Sequence, residues 1–187
     1  MHPNALFKSV SSMVIDRPCS IHWNRARLIV KSSDYGQSNT AIKISSQGVH
    51  IFDGPLVSSG NLASNQATNG IGIYILDAGG VKLYSPDTSE FTSGIRIVGS
   101  TTSVQNTEIY GPVIANCVTL FNIGAGAGGS VNGVNIFGGY MLNDNLVSYG
   151  IINGRCVDLD GTGGNAATDG INFYGTIIQS ANINGGV

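Results

Sequence analysis

The chain has 187 residues, 27 of them Gly, with 42% hydrophobic residues, only 11% charged residues and a formal charge of −2. A disordered segment needs low hydrophobicity with high net charge, and a helical bundle needs abundant Glu, whereas this chain holds only Glu90 and Glu108. Nine Lys plus Arg against eleven acids, with a pI of about 5.8, give no general electrostatic reason to bind nucleic acid, and no apolar run supports membrane insertion.

In chain order, Met1-His2-Pro3 opens without the apolar core of a signal peptide. Residues 1–12 are expected to be a disordered or capping lead-in to one β-rich domain spanning 1–187. Alternating apolar positions predict strands at 41–44, 49–52 and 55–57, then at 72–75 and 81–84, then at 94–97, 107–111 and 112–115. Further strands are predicted at 118–121, 134–138 and 140–142, and at 171–175 and 176–178. The stretches 58–69, 86–93, 125–132 and 154–169 are rich in Gly, Ser, Thr and Asn and read as loops. Residues 124–129 are Gly-rich but lack the Lys-Ser/Thr and the helix of a nucleotide-binding loop. Cys19, Cys117 and Cys156 form no even framework or metal spacing and are expected to be free thiols. The end, Asn182-Ile183-Asn184-Gly185-Gly186-Val187, stops inside a pattern, so a fragment of a longer protein is expected.

One motif recurs: two apolar residues flanking a polar one, then an aromatic, then usually a small residue. It reads Val49-His50-Ile51-Phe52, Val81-Lys82-Leu83-Tyr84, Thr107-Glu108-Ile109-Tyr110-Gly111, Val134-Asn135-Ile136-Phe137-Gly138 and Ile171-Asn172-Phe173-Tyr174-Gly175. The start-to-start spacings are 32, 26, 27 and 37 residues. An uneven period with strand-type alternation is the mark of a solenoid whose loops vary around a constant cross-section. Most copies have one strand before and one after. The expected fold is therefore all-β: a right-handed single-stranded parallel β-helix, or β-solenoid, with three short strands per coil and roughly six coils stacked about 4.8 Å apart. Asn116, Asn143 and Ser180 fall at matching positions after the last strand of a coil and are assigned to a turn column.

The stretch from Met13 to His22, with Ala26-Arg27-Leu28-Ile29-Val30, Ala41-Ile42-Lys43-Ile44 and Val49-His50-Ile51, resembles the opening coils of pectate-lyase-like β-helices. Among these it is most similar to bacteriophage tailspike and capsule-depolymerase proteins. The resemblance implies a virion tail protein assembled in the host cytoplasm. It would be homotrimeric and would recognise a bacterial surface polysaccharide (capsule or O-antigen), with or without cleaving it. A non-catalytic fibre or adhesin segment is the alternative, and a free-standing polysaccharide lyase a third. The grouped Asp pairs and Gly-His-Gly segment of pectin-cleaving members are absent, so the resemblance carries over no catalytic residue.

Stacking the motif puts His50, Lys82, Glu108, Asn135 and Asn172 in one outward column and Phe52, Tyr84, Tyr110, Phe137 and Tyr174 in a second. Lys43, Tyr74, Arg96 and Thr119 are expected to line a neighbouring face. The aromatic column has three readings: rings stacked on one another or covered by sister subunits, rings offered to sugars, and rings pointing inward. On the second reading Lys82, Tyr84, Arg96, Tyr110, Asn135 and Tyr174 are the substrate-binding candidates. Glycoside hydrolysis needs two carboxyl groups, and the candidates are Glu108, which an inter-coil pair with Lys82 explains equally well, and Asp158 with Asp160. The latter two alternate on one face of Val157-Asp158-Leu159-Asp160 and are expected to project from the longest loop. A lyase would need a base and a positive group, for which Arg96, Lys82, His50 and Tyr110 have the chemistry. EF-hand spacing is missing, and no metal or cofactor is expected.

Overall fold

Why do the described residues form strands and no helix? The apolar residues recur at every second position over three to seven residues. Between these runs stand Gly, Asn and Asp, which tolerate left-handed backbone. A computed structural model describes residues 6–9, 11–30, 40–58, 70–143, 155–160 and 167–180. The described residues form nineteen strands in three parallel sheets.

Sheet A runs β1 (Leu6–Ser9), β4 (Arg27–Val30), β7 (Leu56–Ser58), β10 (Asp87–Ser89), β13 (Val113–Ala115), β16 (Tyr140–Asn143) and β19 (Ile177–Ser180). Sheet B runs β2 (Met13–Ile15), β5 (Thr40–Ile44), β8 (Ile71–Leu76), β11 (Ser93–Gly99), β14 (Thr119–Ala125) and β17 (Arg155–Asp160). Sheet C runs β3 (Ser20–His22), β6 (His50–Phe52), β9 (Lys82–Tyr84), β12 (Val104–Tyr110), β15 (Val131–Phe137) and β18 (Thr168–Tyr174). Each strand pairs with the strand three places on, so one coil contributes B, C and A in turn. This is the expected right-handed parallel β-helix with three strands per coil. Residues 6–9, within the expected lead-in, form the first strand of sheet A by pairing with β4.

The core is built of stacked columns of apolar side chains from all three sheets. Ile51, Leu83, Ile109 and Ile136 stack from sheet C, and Ile42, Ile73, Ile95 and Phe121 from sheet B; all are fully buried. Trp23, also buried, donates its Nε1–H to the Ala26 carbonyl at 2.5 Å and fills the first coil. The three cysteines are free, with Cys117 buried and its thiol pushed up to about 12 by desolvation.

Corners are built from backbone that few side chains tolerate. Directly after the sheet-C strands, Asp53, Ser85, Gly111, Gly138 and Gly175 all have φ between 53° and 63°. Two residues into β11, Gly94 is required for another reason. An added Cβ would collide with the Ile114 side chain and lie 2.9 Å from the Leu120 carbonyl oxygen.

Two expected loops are strands. The 86–93 stretch contains β10, and 154–169 contains β17. The first was hidden because its inward residue is Thr88 where other coils place Leu28, Val57 and Ile114. The second was hidden because its outward positions carry charge. The 58–69 loop lies almost wholly outside the described residues. In the turn column, the Asn116 N–H donates to the Leu142 carbonyl and Asn143 pairs with Ser180. The side chains of Asn143 and Ser180 lie outside the described residues. Glu90 (φ 69°), one coil before Asn116 (φ 53°), shares its left-handed backbone.

Thr107 interrupts the core column between Val81 and Val134, and its Oγ1 is buried without a hydrogen-bond partner. Thr107→Val keeps the shape and removes that desolvation cost, so it should stabilise the fold by about 1 kcal/mol. Ile109→Ala in the next inward position should destabilise it by about 2–5 kcal/mol. Denaturant midpoints of the two variants check both signs. A second prediction concerns Asp77 (φ 55°), whose Oδ1 accepts the N–H groups of Ser100, Thr101 and Thr102 at 2.6, 2.9 and 3.1 Å. Partial burial raises its pKa, but these donors and the Thr101 hydroxyl outweigh it and the net shift is downward. A depressed carboxylate stabilises above its unfolded pKa, near 3.9, and loses that contribution as pH falls through the folded value. Asp77→Asn should therefore cost about 1 kcal/mol at pH 7, discounted for exposure, and nothing once the pH lies below the depressed pKa. Thermal melts across that range measure it.

Candidate functional site

Sheet C places the candidate residues on the outside of the rod because each lies one position from a buried residue of its strand. His50, Lys82, Glu108, Asn135 and Asn172 are in register through successive coils, as the motif predicts. Lys82 Nζ lies 2.7 Å from Glu108 Oε2, and the Tyr110 hydroxyl donates to the same oxygen at 2.7 Å. One coil on, Asn172 Nδ2 donates to Asn135 Oδ1 at 3.0 Å.

The electrostatics follow from those contacts. The Lys82 ammonium, then the Tyr110 hydroxyl, hydrogen-bonds the Glu108 carboxylate and holds its pKa below the ordinary range. Reciprocally, the Lys82 ammonium is raised by its bond to Glu108, and the Tyr110 phenol is raised by the same carboxylate. Glu108 is thus ionised at neutral pH, which suits an ion pair and disfavours a proton-donating role.

Two residues along, the rings settle among the three readings. His22, Phe52, Tyr84, Tyr110, Phe137 and Tyr174 stack face to face, with successive centroids 4.8–5.0 Å apart and interplanar angles of 5–16°. The rings point outward and are partly exposed, Tyr174 at 51%. Every interior ring therefore has both faces covered by its neighbours, and what it offers to solvent is its edge and, for Tyr84 and Tyr110, its hydroxyl. His22 heads the column although sequence reasoning left it aside. Ser20-Ile21-His22 has the same polar–apolar–ring order as His50-Ile51-Phe52, and that order was the available signal.

Sheet B holds the remaining candidates. Its outward column is Lys43, Tyr74, Arg96, Asn122 and Asp158. Thr119 does not belong to it: Thr119 is buried and pairs with Ser93 and Arg155. The expected frame slipped because Leu120 and Phe121 are both buried, which breaks the period of two. Asp158 stands on β17, not on a projecting loop. Arg155 Nη1 contacts its Oδ1 at 2.7 Å, and Asn122 Nδ2 donates to its Oδ2 at 3.3 Å. Asp160 ends the same strand opposite Gly124, and its side chain lies outside the described residues.

The structure thus brings Lys82, Glu108, Tyr84 and Tyr110 together, with Asn135 and Tyr174 further along the same face. Arg96 sits on another sheet. Glu108 and Asp158 are on different sheets two coils apart, and each is engaged by a cation. Among the described residues no three His, Cys, Asp or Glu side chains are grouped to hold a metal ion. No protein-family model, curated protein or solved structure matches the chain.

The Lys82–Glu108–Tyr110 network makes a direct prediction. In a carboxylate NMR titration, Glu108 should titrate below the usual Glu range near 4.3. Lys82→Met should move it up most, and Tyr110→Phe by a smaller step. An unchanged Glu108 pKa in Lys82→Met would refute the assigned cause.

Proposed function

We propose that the chain is the β-helical body of a tailspike-like receptor-binding protein that recognises a bacterial surface polysaccharide. The single observation carrying this reading is the outer side of sheet C. There each of the last five coils offers, at constant spacing along the rod, one hydrogen-bonding side chain and one ring edge. A one-dimensional repeat of donors and acceptors complements a linear polymer better than it does a compact ligand. The resemblance of the opening coils points the same way, and with it come a virion location and a homotrimer. The outward column Leu56, Asp87, Val113, Tyr140 and Ile177 on sheet A is largely apolar, with Val113 40% and Ile177 59% exposed, and would be covered by symmetric association.

Binding is better supported than cleavage. Glu108 and Asp158 are each held in an ion pair, and their separation by sheet removes these two as the facing pair that glycoside hydrolysis requires. The alternative, a structural fibre or adhesin segment, is favoured by one observation: the ring faces are consumed by their own stack. Sugar recognition on this face would therefore run through Lys82, Asn135, the tyrosine hydroxyls and the open outer ring of Tyr174, with Arg96 contributing from sheet B.

The test is binding of host capsule or O-antigen oligosaccharide by calorimetry, with the products sized after incubation. Lys82→Met and Asn135→Ala should each weaken binding, the former by about tenfold for a charge-assisted hydrogen bond. Wild-type chain that binds no host glycan would leave the fibre reading. Shortened products that disappear in Glu108→Gln or Asp158→Asn would restore a catalytic role.

A further inference from the structure

The outward column of sheet B is neutralised at one end and not at the other. Asp158 is held by Arg155 and Asn122. Among the described residues the ion pairs join His22 to Asp53, Lys82 to Glu108 and Arg155 to Asp158, and none takes up Lys43 or Arg96. Lys43 and Arg96 are the register neighbours of Tyr74 on its two sides. Two unmatched cations therefore stand on one face, about 9.6 Å apart by the inter-strand spacing, with a phenol between them.

Arg96 is already oriented. Its Cζ lies 5.6 Å from the centroid of the Tyr74 ring, a cation–π contact that holds the guanidinium over the ring. Its Nε is buried and has no hydrogen-bond partner, an expensive state for a charged donor. The Tyr74 phenol is raised by desolvation, against the lowering influence of Arg96, so it remains a proton donor at neutral pH. Asp77, which also acts on Tyr74, is occupied by the Ser100, Thr101 and Thr102 donors. A guanidinium fork matches a planar oxyanion in two parallel hydrogen bonds, a geometry no neutral hydroxyl reproduces.

We propose that Lys43, Tyr74 and Arg96 form an oxyanion subsite that takes the carboxylate of an acidic saccharide unit. The carboxylate's origin in a glycan rests on the reading above; the demand for an anion rests on sheet B alone. The site gives sheet B a role separate from sheet C: it selects for charge on a repeat unit, where sheet C reads hydroxyls.

The experiment uses the whole chain with two simple probes, sodium glucuronate and inorganic phosphate, and follows the Arg96 Nε–H NMR resonance. Glucuronate should shift that resonance saturably, with an affinity that falls as salt is raised. Arg96→Gln should weaken glucuronate binding at least tenfold, read from the remaining shifts around Tyr74, and Lys43→Gln about threefold. Arg17→Gln, an exposed cation at a corner, should leave the affinity unchanged. A response to phosphate alone would reassign the group to a phosphate-bearing glycan and still support the oxyanion site. No response to either probe, or binding undiminished in Arg96→Gln, overturns it. A host glycan that binds equally well after its carboxyl groups are reduced also overturns it, yet leaves recognition by sheet C standing. Failure of every glycan to bind, with the Arg96 shift intact, does the reverse.

Discussion

The hydrogen bonding of each coil to the next along the rod is the constraint on which everything else rests. Because every strand pairs in parallel with its counterpart one coil away, each side chain stands about 4.8 Å from the residue at its own position in the neighbouring coil. Like meets like unless the sequence prevents it. Isoleucine on isoleucine builds the core and ring on ring builds the aromatic column, but like charges in register would repel by about 1–4 kcal/mol at such range. The chain answers in two ways. It carries few charges, and where it places one in a column it follows it with the opposite sign or a neutral group: Lys82 faces Glu108, and Glu108 faces Asn135. The 11% charged composition is therefore a consequence of the architecture.

A constant cross-section also requires the same sharp corner at the same place in every coil. Asp53, Ser85, Gly111, Gly138 and Gly175 repeat one left-handed position, and Gly48, Gly80, Asn106, Gly133 and Gly170 repeat another just before the core residue that opens each motif. A left-handed backbone costs an ordinary L residue about 1–2 kcal/mol, so repeating it over five coils selects Gly, with Asn, Asp and an occasional Ser. The high Gly content supplies, in the fold, many of the corners that let three sheets close around one core.

Those pressures explain what could be read in advance. Sheet C was legible because three independent signals coincide within five residues: a buried pair, an outward polar residue and a ring followed by a small residue. Sheet A was legible only where its inward residue is apolar, and Thr88 concealed β10. Sheet B was legible in its first coils and slipped at Leu120 and Phe121, where two successive buried residues break alternation and move the outward position from Thr119 to Asn122. The site was legible as columns but not as contacts. That Glu108 is shared between Lys82 and Tyr110 depends on rotamers, and that Asp158 belongs to a strand depends on pairing with β14, which local polarity obscures. The Asp77 clamp joins residues more than twenty positions apart and leaves no local mark beyond an Asp in a turn.

The same geometry decides how such a rod can recognise anything. Stacking consumes the ring faces that would otherwise bind sugars, so the aromatic column stiffens the rod and aligns its polar neighbours. On the proposed reading, recognition falls to groups whose partners along the column do not satisfy them. On sheet C, Lys82 gives one of its three ammonium protons to Glu108 and Asn135 only accepts from Asn172, so their remaining donors, with the Tyr84 hydroxyl and the ring edges, are the spare capacity. On sheet B the two cations are separated by neutral groups alone, with no opposite charge between them. Lys43 and Arg96 flank an uncharged Tyr74, and Asn122 follows Arg96 where Glu108 follows Lys82. A column that neutralises its charges elsewhere, and leaves two standing beside a buried, unpartnered guanidinium nitrogen, has placed its unmet electrostatic demand at one spot on the rod.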